Sequence, residues 1–208
     1  MNVELLTYTP NPELMIANAA KTCYDSPSKT LEQSQKMIKA LVKAGHEAMI
    51  EHASASFKLS NVSRVLTHEF CRHRLFSFAM RSQRYVKENE PCYVVPDVLI
   101  DNNNAGVHIA KAKQTFDAAM NFAWNAYHEL LKLGLKPEDA RFVLPNACTT
   151  EIVVSGNFRE WRNFLKLRLS PRAQWEIRKA ANIILDKLYE IAPSCFEDLK
   201  NGINIQTT

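Results

Sequence analysis

The stretch RHRLFSFAMRSQRY, residues 72–85, places four arginines and one histidine in fourteen positions. Its spacers are largely apolar: Leu75, Phe76, Phe78 and Met80. The planar guanidinium of arginine binds phosphate or carboxylate through two N–H groups. When it stacks against an aromatic ring, it loses little by being partly removed from water. The stretch therefore suits a phosphorylated ligand that carries a ring, such as a nucleotide. The alternative is a solvated basic helix end that continues into an edge strand.

Length and composition describe an ordinary globular protein. The chain has 208 residues, 46% of them hydrophobic and 23% charged, with a net charge of +4. This length fits a single domain, residues 1–208, and the mild charge suits small anionic ligands better than nucleic acid. Five cysteines without a CxxC pair argue against a disulfide framework or a zinc site. With no signal-peptide pattern and no long apolar run, we expect a cytoplasmic protein.

The first half carries clear helix signals. Thr30 and Gln33 form a capping-box pattern, and the apolar stripe that follows stops at Gly45. In order, we expect a strand at 2–8, a helix from Pro12, the capped helix, a strand at 53–60, a helix over 63–74 opened by Ser63, and a strand or extended segment at 76–84.

The second half is mostly helical after the segment 89–106, which is rich in proline and asparagine and is expected to divide the chain into two halves. In order, we expect a helix at 107–133 ended by Gly134, a strand at 149–155, a helix capped by Asn157 that runs to 168, and a helix from Pro171 to 191. These elements predict an α/β or α+β fold, with one mixed, largely antiparallel sheet covered by several long helices.

Several arginines of the second half sit beside apolar or turn residues. A buried salt bridge or a charge at a helix C-terminus would explain any one of them without a ligand. They are Arg141, Arg159, Arg162, Arg168 and Arg172.

Two other kinds of site are poorly supported. His46 and His52 are six residues apart, whereas an HExxH zinc helix needs a spacing of four. A polar cap at a ligand mouth and a structural pair both remain open for these histidines. The sequence has no GxSxG, GxGxxG or GxxxxGK[ST] motif, so a nucleotide would have to be held by side chains and helix ends.

The opening stretch resembles the signature of the flavin-dependent thymidylate synthases, RHRxxSxNxxSxR. Ala79 stands at the asparagine position. Further segments resemble family blocks in the same order: GHEAMIEH, THEFCRHR, DARFVLP, NFREWRNFLKLR and AQWEIR. The signature positions that match are Arg72, His73, Arg74, Ser77, Ser82 and Arg84.

This resemblance implies that the methylene of methylenetetrahydrofolate is transferred to C5 of dUMP, giving dTMP and tetrahydrofolate. FAD would carry the electrons from NADPH, so no cysteine nucleophile is needed. The resemblance also implies a homotetramer whose sites are shared between subunits, in which the apolar spacers face a neighbouring chain. We expect no nucleic-acid partner and no membrane partner.

The resemblance implies roles for individual residues. Arg168 would lie near uracil N3 and O2, where its charge stabilises the anionic ring and makes C5 more nucleophilic. Glu69 would hydrogen-bond the ring. The remaining dUMP positions are Arg72, Ser82, Gln83, Arg84 and Arg141. The FAD positions are His46, Arg72, His73, Arg74, Asn157, Arg159 and Asn163.

Departures from the family pattern leave a further alternative. Ala79, Met80 and Ala48 replace polar residues that are common in the family, and Arg172 stands where some members carry histidine. Losing one hydrogen bond costs about 1 kcal/mol, which shifts affinity without abolishing a site of many contacts. The competing hypotheses are an impaired family member that still binds nucleotide, and a nucleic-acid-binding module whose affinity falls steeply with salt.

Overall fold

The computed structural model describes residues 1–23, 30–88, 90–100 and 108–206. Short 3-10 helices cover Glu47–His52, Asp97–Leu99 and Arg141–Val143. The regular elements are β1 (Asn2–Tyr8), α1 (Pro12–Thr22), α2 (Leu31–Lys43), β2 (Ser54–Ser63), α3 (Arg64–Phe70), β3 (Ser77–Met80), α4 (Ile109–Lys132), α5 (Pro137–Ala140), β4 (Thr149–Asn157), α6 (Phe158–Arg168), α7 (Trp175–Ile191) and α8 (Pro193–Gln206).

The four strands form one antiparallel sheet in the order β1-β2-β4-β3. This confirms the α+β class and the antiparallel sheet expected from the sequence. The chain divides into two compact units. The first comprises 1–59, 69–79 and 153–208, and the second comprises 60–68 and 80–152.

Local hydrogen bonds explain why several helices begin where the sequence predicts. The Thr30 hydroxyl accepts from the Gln33 backbone N–H at 3.3 Å, and Gln33 Oε1 accepts from the Thr30 N–H at 3.0 Å. Asn157 Oδ1 accepts from the Glu160 N–H at 2.9 Å and so caps α6. After α2, Gly45 has a φ of +78°, a conformation that favours glycine. The capping box, the Asn157 cap and the glycine stop are confirmed.

Two helix boundaries differ from the prediction. The helix opened by Ser63 ends at Phe70, not at residue 74. The helix expected from Pro171 begins at Trp175, because Gln174 Oε1 caps it by accepting from the backbone N–H groups of Glu176 and Ile177, and Pro171 lies in the preceding turn.

Two further features were not foreseen. Helix α8 was missed. The described part of the expected divider, 90–100, lies inside the second unit and separates nothing, while residues 89 and 101–107 lie outside the described part of the chain.

An aromatic cluster forms the core of the first unit next to the sheet. The Trp161 indole N–H donates to the backbone carbonyl of Ala55 in β2 at 3.1 Å. The Trp161 ring also packs edge-on against Phe57, with the two centroids 4.9 Å apart. Phe164, one turn further along α6, stacks on Phe70 with centroids 4.5 Å apart and an interplanar angle of 12°. These contacts fix α6 on the sheet and place its C-terminal end beside α3.

The second unit has its own small core. Trp124 and Tyr127 of α4 pack with Ala140 and Cys148, and all four are buried. The Tyr127 hydroxyl accepts from the Glu88 backbone N–H at 3.3 Å. Among the helices of the described ranges, none combines the length and the apolar character that crossing a bilayer requires.

Gly156 in β4 leaves the space that Phe76 fills. A Cβ at residue 156 would lie 2.3 Å from two ring carbons of Phe76, which is only 6% exposed and is packed against other rings. We therefore expect Gly156→Ala to lower the free energy of unfolding by about 1–3 kcal/mol, the usual cost of overpacking. Urea denaturation measures this change. The control is Gly202→Ala in α8, where a Cβ meets nothing within 4 Å and alanine should stabilise by up to ~1 kcal/mol.

Candidate active site

Arg168 is the last residue of α6, and three hydrogen bonds hold its guanidinium in the first unit. Its Nη1 donates to Glu69 Oε2 at 2.7 Å, and its Nη2 donates to the Glu69 backbone carbonyl at 3.0 Å. Its Nε donates to His73 Nε2 at 3.0 Å. The Arg168 side chain is 16% exposed. The structure thus brings Arg168 to Glu69 and His73, which precede it in the sequence by 99 and 95 residues.

His73 is buried, whereas the arginines on either side of it are exposed. Its side chain is 6% exposed, and the rings of Phe70, Phe76 and Phe164 pack against it at centroid distances of 5.1–6.4 Å. The pKa of His73 is lowered to about 4, chiefly by burial and in addition by the positive charge of Arg168, while Glu69 opposes the shift. The ring is therefore neutral at physiological pH and can accept a hydrogen bond from Arg168.

Arg72 and Arg74 project from the turn that follows α3. Both are exposed, and neither guanidinium has a hydrogen bond or ion pair within the described ranges. An unpaired arginine fork can bind an anion without first breaking a contact. These two side chains are therefore free to take part in ligand binding.

The aromatic spacers of the opening stretch serve the protein core. Phe76 lies 4.4 Å from Trp161 between ring centroids, and Phe78 packs near Phe70 and Phe76. Phe76 is therefore enclosed in the core of its own unit, whereas the family resemblance implied that the apolar spacers face a neighbouring chain. Leu75 and Met80 are exposed, by 79% and 39%.

A surface cleft of about 610 Å³ in the first unit brings together three of the residues expected to contact FAD. These are Asn157, Arg159 and Asn163, at and after the start of α6. Arg159 donates to Glu51 Oε1 at 2.5 Å, and both side chains are about half exposed. The other residues that line the cleft are Leu75, Lys166, Glu47, Glu51 and Glu160. His46 is exposed and directly precedes the 3-10 helix to which Glu47 and Glu51 belong.

The volume and the charges of this cleft fit a flavin nucleotide. Its volume lies in the range of sites that take ligands of this size. The carboxylate partner of Arg159 is solvent-exposed, and such a pair contributes only about 0–1 kcal/mol. A diphosphate could therefore replace Glu51 as the partner of Arg159 at little cost.

The second unit brings together Arg84 and Arg141 through Glu138. Arg84 Nε donates to Glu138 Oε2 at 2.6 Å, and Arg141 Nε donates to the Glu138 backbone carbonyl at 3.1 Å. The Ser82 hydroxyl accepts from the Arg84 backbone N–H at 3.1 Å. Three of the residues expected to hold dUMP therefore share one side of this unit. Sequence analysis missed Glu138, although its place next to Pro137 and three residues before Arg141 was a signal.

Buried donors without partners lie near the same arginines. Gln83 is 6% exposed, and its Nε2 has no hydrogen-bond partner in the described part of the chain. The same holds for the Nε of Arg64, another residue that sequence analysis missed. Burial lowers the pKa of Arg64, and the charges of Arg141 and Arg81 add to this effect against Glu88. Orphaned donors beside like charges fit a site that binds an anion.

Arg162 has a structural role. Its side chain is 2% exposed, and it forms a two-pronged ion pair with Asp198 of α8, each N–O distance being 2.7 Å. It also donates to Glu47 at 3.0 Å and to the backbone carbonyl of Cys195. Of the second-half arginines, this one fits the buried salt-bridge alternative.

The thiols and the histidine pair add no further chemistry. All five cysteines fall in the described ranges and are free thiols. Burial raises the pKa of Cys148 to about 11 and raises that of Cys195 strongly, so both stay protonated. The described residues contain no group of three or more potential metal ligands, and this includes His46 and His52.

Comparison with known proteins identifies the chain. The family model "Thymidylate synthase complementing protein" matches residues 4–194. The flavin-dependent thymidylate synthase of Clostridium tetani is 39% identical over 213 residues, covering 95% of this chain and 86% of that protein. Those of Geobacter sulfurreducens and Corynebacterium glutamicum are 38% and 37% identical, and cover 97% and 96% of this chain and 88% and 84% of their own lengths.

These matches first define a class: the chain is an enzyme of the thymidylate synthase kind. Within that class, the chain belongs to the flavin-dependent thymidylate synthase family. The family resemblance inferred from the opening stretch is confirmed.

The burial of His73 predicts a pH dependence of stability. The ring has a pKa near 6.5 when unfolded and about 4 when folded, so the unfolded state binds a proton first as pH falls. The stability due to the neutral ring is therefore fully present above pH 6.5 and is lost progressively as pH falls from 6.5 through 4, by about 3 kcal/mol in all. We expect denaturation at pH 7 and pH 5 to show a smaller loss for His73→Gln than for wild type. Equal losses in the two proteins would contradict the assignment.

Proposed function

We propose that this chain performs the reductive methylation of dUMP to dTMP, with the residues described above as its site. Methylenetetrahydrofolate gives up a one-carbon unit to C5 of the uracil, and C5 loses its proton. A hydride completes the methyl group, and tetrahydrofolate leaves. Bound FAD, once reduced by NADPH, would supply the hydride.

The fixed guanidinium of Arg168 carries this proposal. An arginine has five N–H donors, and three of those of Arg168 are committed to Glu69 and His73. Two donors remain, one on each terminal nitrogen. An anionic uracil presents adjacent acceptors at N3 and O2, which a forked pair of donors can bind together. The charge of Arg168 would then stabilise the anionic ring and raise the electron density at C5.

We assign the phosphate of dUMP to the basic side of the second unit. Arg84 and Arg141 already converge on Glu138, so a phosphate needs only to replace a half-exposed carboxylate contact of Arg84. Ser82 and the orphaned Nε2 of Gln83 would add neutral donors. The family resemblance adds Arg72 to the dUMP set; it belongs to the first unit and has no partner in the described ranges.

We assign FAD to the cleft of the first unit. Asn157, Arg159 and Asn163 line it, and Arg159 is the cation that suits the diphosphate. Arg74, His46 and His73 complete the set that the family resemblance indicates. The role of these residues is to bind and orient the cofactor.

The substitutions within the signature do not remove this machinery. Met80 and Ala79 are exposed, and the contacts that hold Arg168 and Arg84 involve neither. The impaired-member alternative rests on these two positions. It predicts binding of nucleotide without rescue of a thymidine-requiring cell, whereas an active synthase restores growth.

We further propose that the enzyme is a cytoplasmic homotetramer. Free thiols suit a reducing compartment. Large apolar side chains that are at least 70% exposed suit association with further copies of the chain. They are Leu75, Tyr85, Phe122, Leu133 and Phe142.

A spectrum tests the reaction. We expect the purified protein, reconstituted with FAD, to be yellow because it retains the flavin. NADPH should bleach the flavin band, and dUMP should speed the bleaching. Protein that stays colourless after reconstitution, or a flavin band that NADPH leaves unchanged, would contradict the proposed function.

Substitution of Arg168 tests the catalytic assignment. Arg168→Ala should lower turnover by about 100-fold or more, the effect of losing a charged donor aimed at a transition state, while the bound FAD per chain changes little. The control is Arg178→Ala, on α7, whose guanidinium donates to the Pro171 carbonyl; turnover there should stay near wild type. Equal turnover in Arg168→Ala and wild type would show that the charge is only structural.

A further inference from the structure

We propose that His73 is a positioning residue for Arg168: it fixes the guanidinium through a neutral acceptor, so that the arginine is oriented without losing its charge. The inference rests on the proposed function of Arg168, and it gives the histidine of the signature a role through the arginine in addition to its place in the cofactor set.

The two side chains that hold Arg168 differ in their electrostatic effect. Glu69 is a carboxylate 2.7 Å from Nη1, and its negative charge offsets part of the positive charge that a uracil anion would feel. His73 meets Nε at 3.0 Å with a neutral ring nitrogen. A neutral acceptor satisfies the donor and restricts its rotation, yet leaves the net charge of Arg168 in place.

The surroundings of His73 make it a rigid support. Phe164 comes from α6, the same helix as Arg168, and its ring packs edge-on against the imidazole at a centroid distance of 5.1 Å. Phe70 and Phe76 pack edge-on from the two flanking segments. A ring held on three sides cannot turn away from Arg168 without disturbing the aromatic core.

The same surroundings keep the ring in the accepting state. Within the described residues, the charged groups that act on His73 are Arg168 and Glu69, and the rings of Phe70, Phe76 and Phe164 pack against it. With a pKa of about 4, the ring is neutral over the range in which the enzyme would work. Because Nε2 accepts from Arg168, the proton of the neutral ring lies on Nδ1. A protonated ring would instead set two donors against each other.

The position of His73 in the signature supports a role through Arg168. Arg72 and Arg74 are exposed and unpartnered in the described ranges, as residues that meet a ligand directly should be. His73 between them is 6% exposed, and Arg168 uses its Nε2.

The test compares side chains that differ in the reach of their acceptor. In His73→Gln the amide oxygen can reach close to the place of Nε2. In His73→Leu no acceptor remains, and in His73→Asn the amide is too short to reach Arg168. The probe is 5-fluoro-dUMP, followed by 19F NMR in complex with each protein, because its fluorine reports the loss of the N3 proton as pH is raised.

We expect wild type and His73→Gln to lower the apparent pKa of bound 5-fluoro-dUMP relative to the free nucleotide. His73→Leu and His73→Asn should lose at least half of that lowering. Their kcat should fall by about 10-fold or more, equivalent to ~1.4 kcal/mol, with less change in KM for dUMP. His73→Gln should recover most of the kcat. If His73→Leu does not fold, the His73→Asn and His73→Gln pair carries the comparison.

The outcomes separate this inference from the proposed function. Wild type that does not bind 5-fluoro-dUMP would overturn the proposed function itself. If Arg168→Ala raises the pKa of the bound probe but neither His73→Leu nor His73→Asn does, the positioning role is overturned. Equal losses in His73→Gln and His73→Asn would also overturn it, since the reach of the acceptor would then not matter.

Discussion

The aromatic face of α6 is the constraint on which the site of the first unit depends. Trp161 is tied to β2 by its indole N–H, and Phe164 stacks on Phe70 of α3. Because these contacts fix two turns of α6, they also set the position of its last residue, Arg168, next to Glu69 and His73. The charged residue that we assign to chemistry is thus oriented by rings that never touch a substrate, and its three contacts are made before any ligand arrives.

Buried Arg162 ties the same helix to other elements of the first unit. Its fork holds Asp198 of α8 and Glu47 of the first 3-10 helix, and it is almost wholly excluded from solvent. Arg159 and Lys166 lie in the same helix, are exposed by about half, and face the cleft. Helix α6 therefore carries three arginines with different roles. Arg162 is buried and structural, Arg159 lines the cleft at the start of the helix, and Arg168 at its end is the residue that we assign to catalysis.

Local signals in the sequence predicted much of the fold. Capping by Thr30 and Asn157 and the stop at Gly45 depend on neighbouring residues, so pattern and geometry agree. The start of α7 was missed because a glutamine capped it, which is a weaker signal than a proline at the first turn. The extent of the α3 helix was overestimated because the apolar pattern continues past the point where its backbone bonds end.

The site could be predicted only in part, since family motifs name residues but not their partners. The pairings of Arg168 with His73 and of Arg84 with Glu138 join positions 95 and 54 apart, and no periodicity encodes such a distance. Burial was equally hidden: Arg162 and Arg159 are three residues apart with similar neighbours, yet one is enclosed and the other is open. Phe76 was expected with the other apolar spacers to face a neighbouring chain, yet it lies in the core of its own unit, because an apolar residue among arginines can serve either purpose.

The interleaving of the two units has a consequence for synthesis of the chain. The first unit is assembled from three separate segments, of which the last begins at Val153. Helices α6, α7 and α8, which cover much of its core, all lie in that last segment. During translation the amino-terminal strand and helices must wait for partners that emerge last, and contacts this distant in sequence form slowly. We therefore expect the nascent first unit to expose apolar surface until translation is nearly complete. Exposed apolar surface of this kind is what chaperones bind.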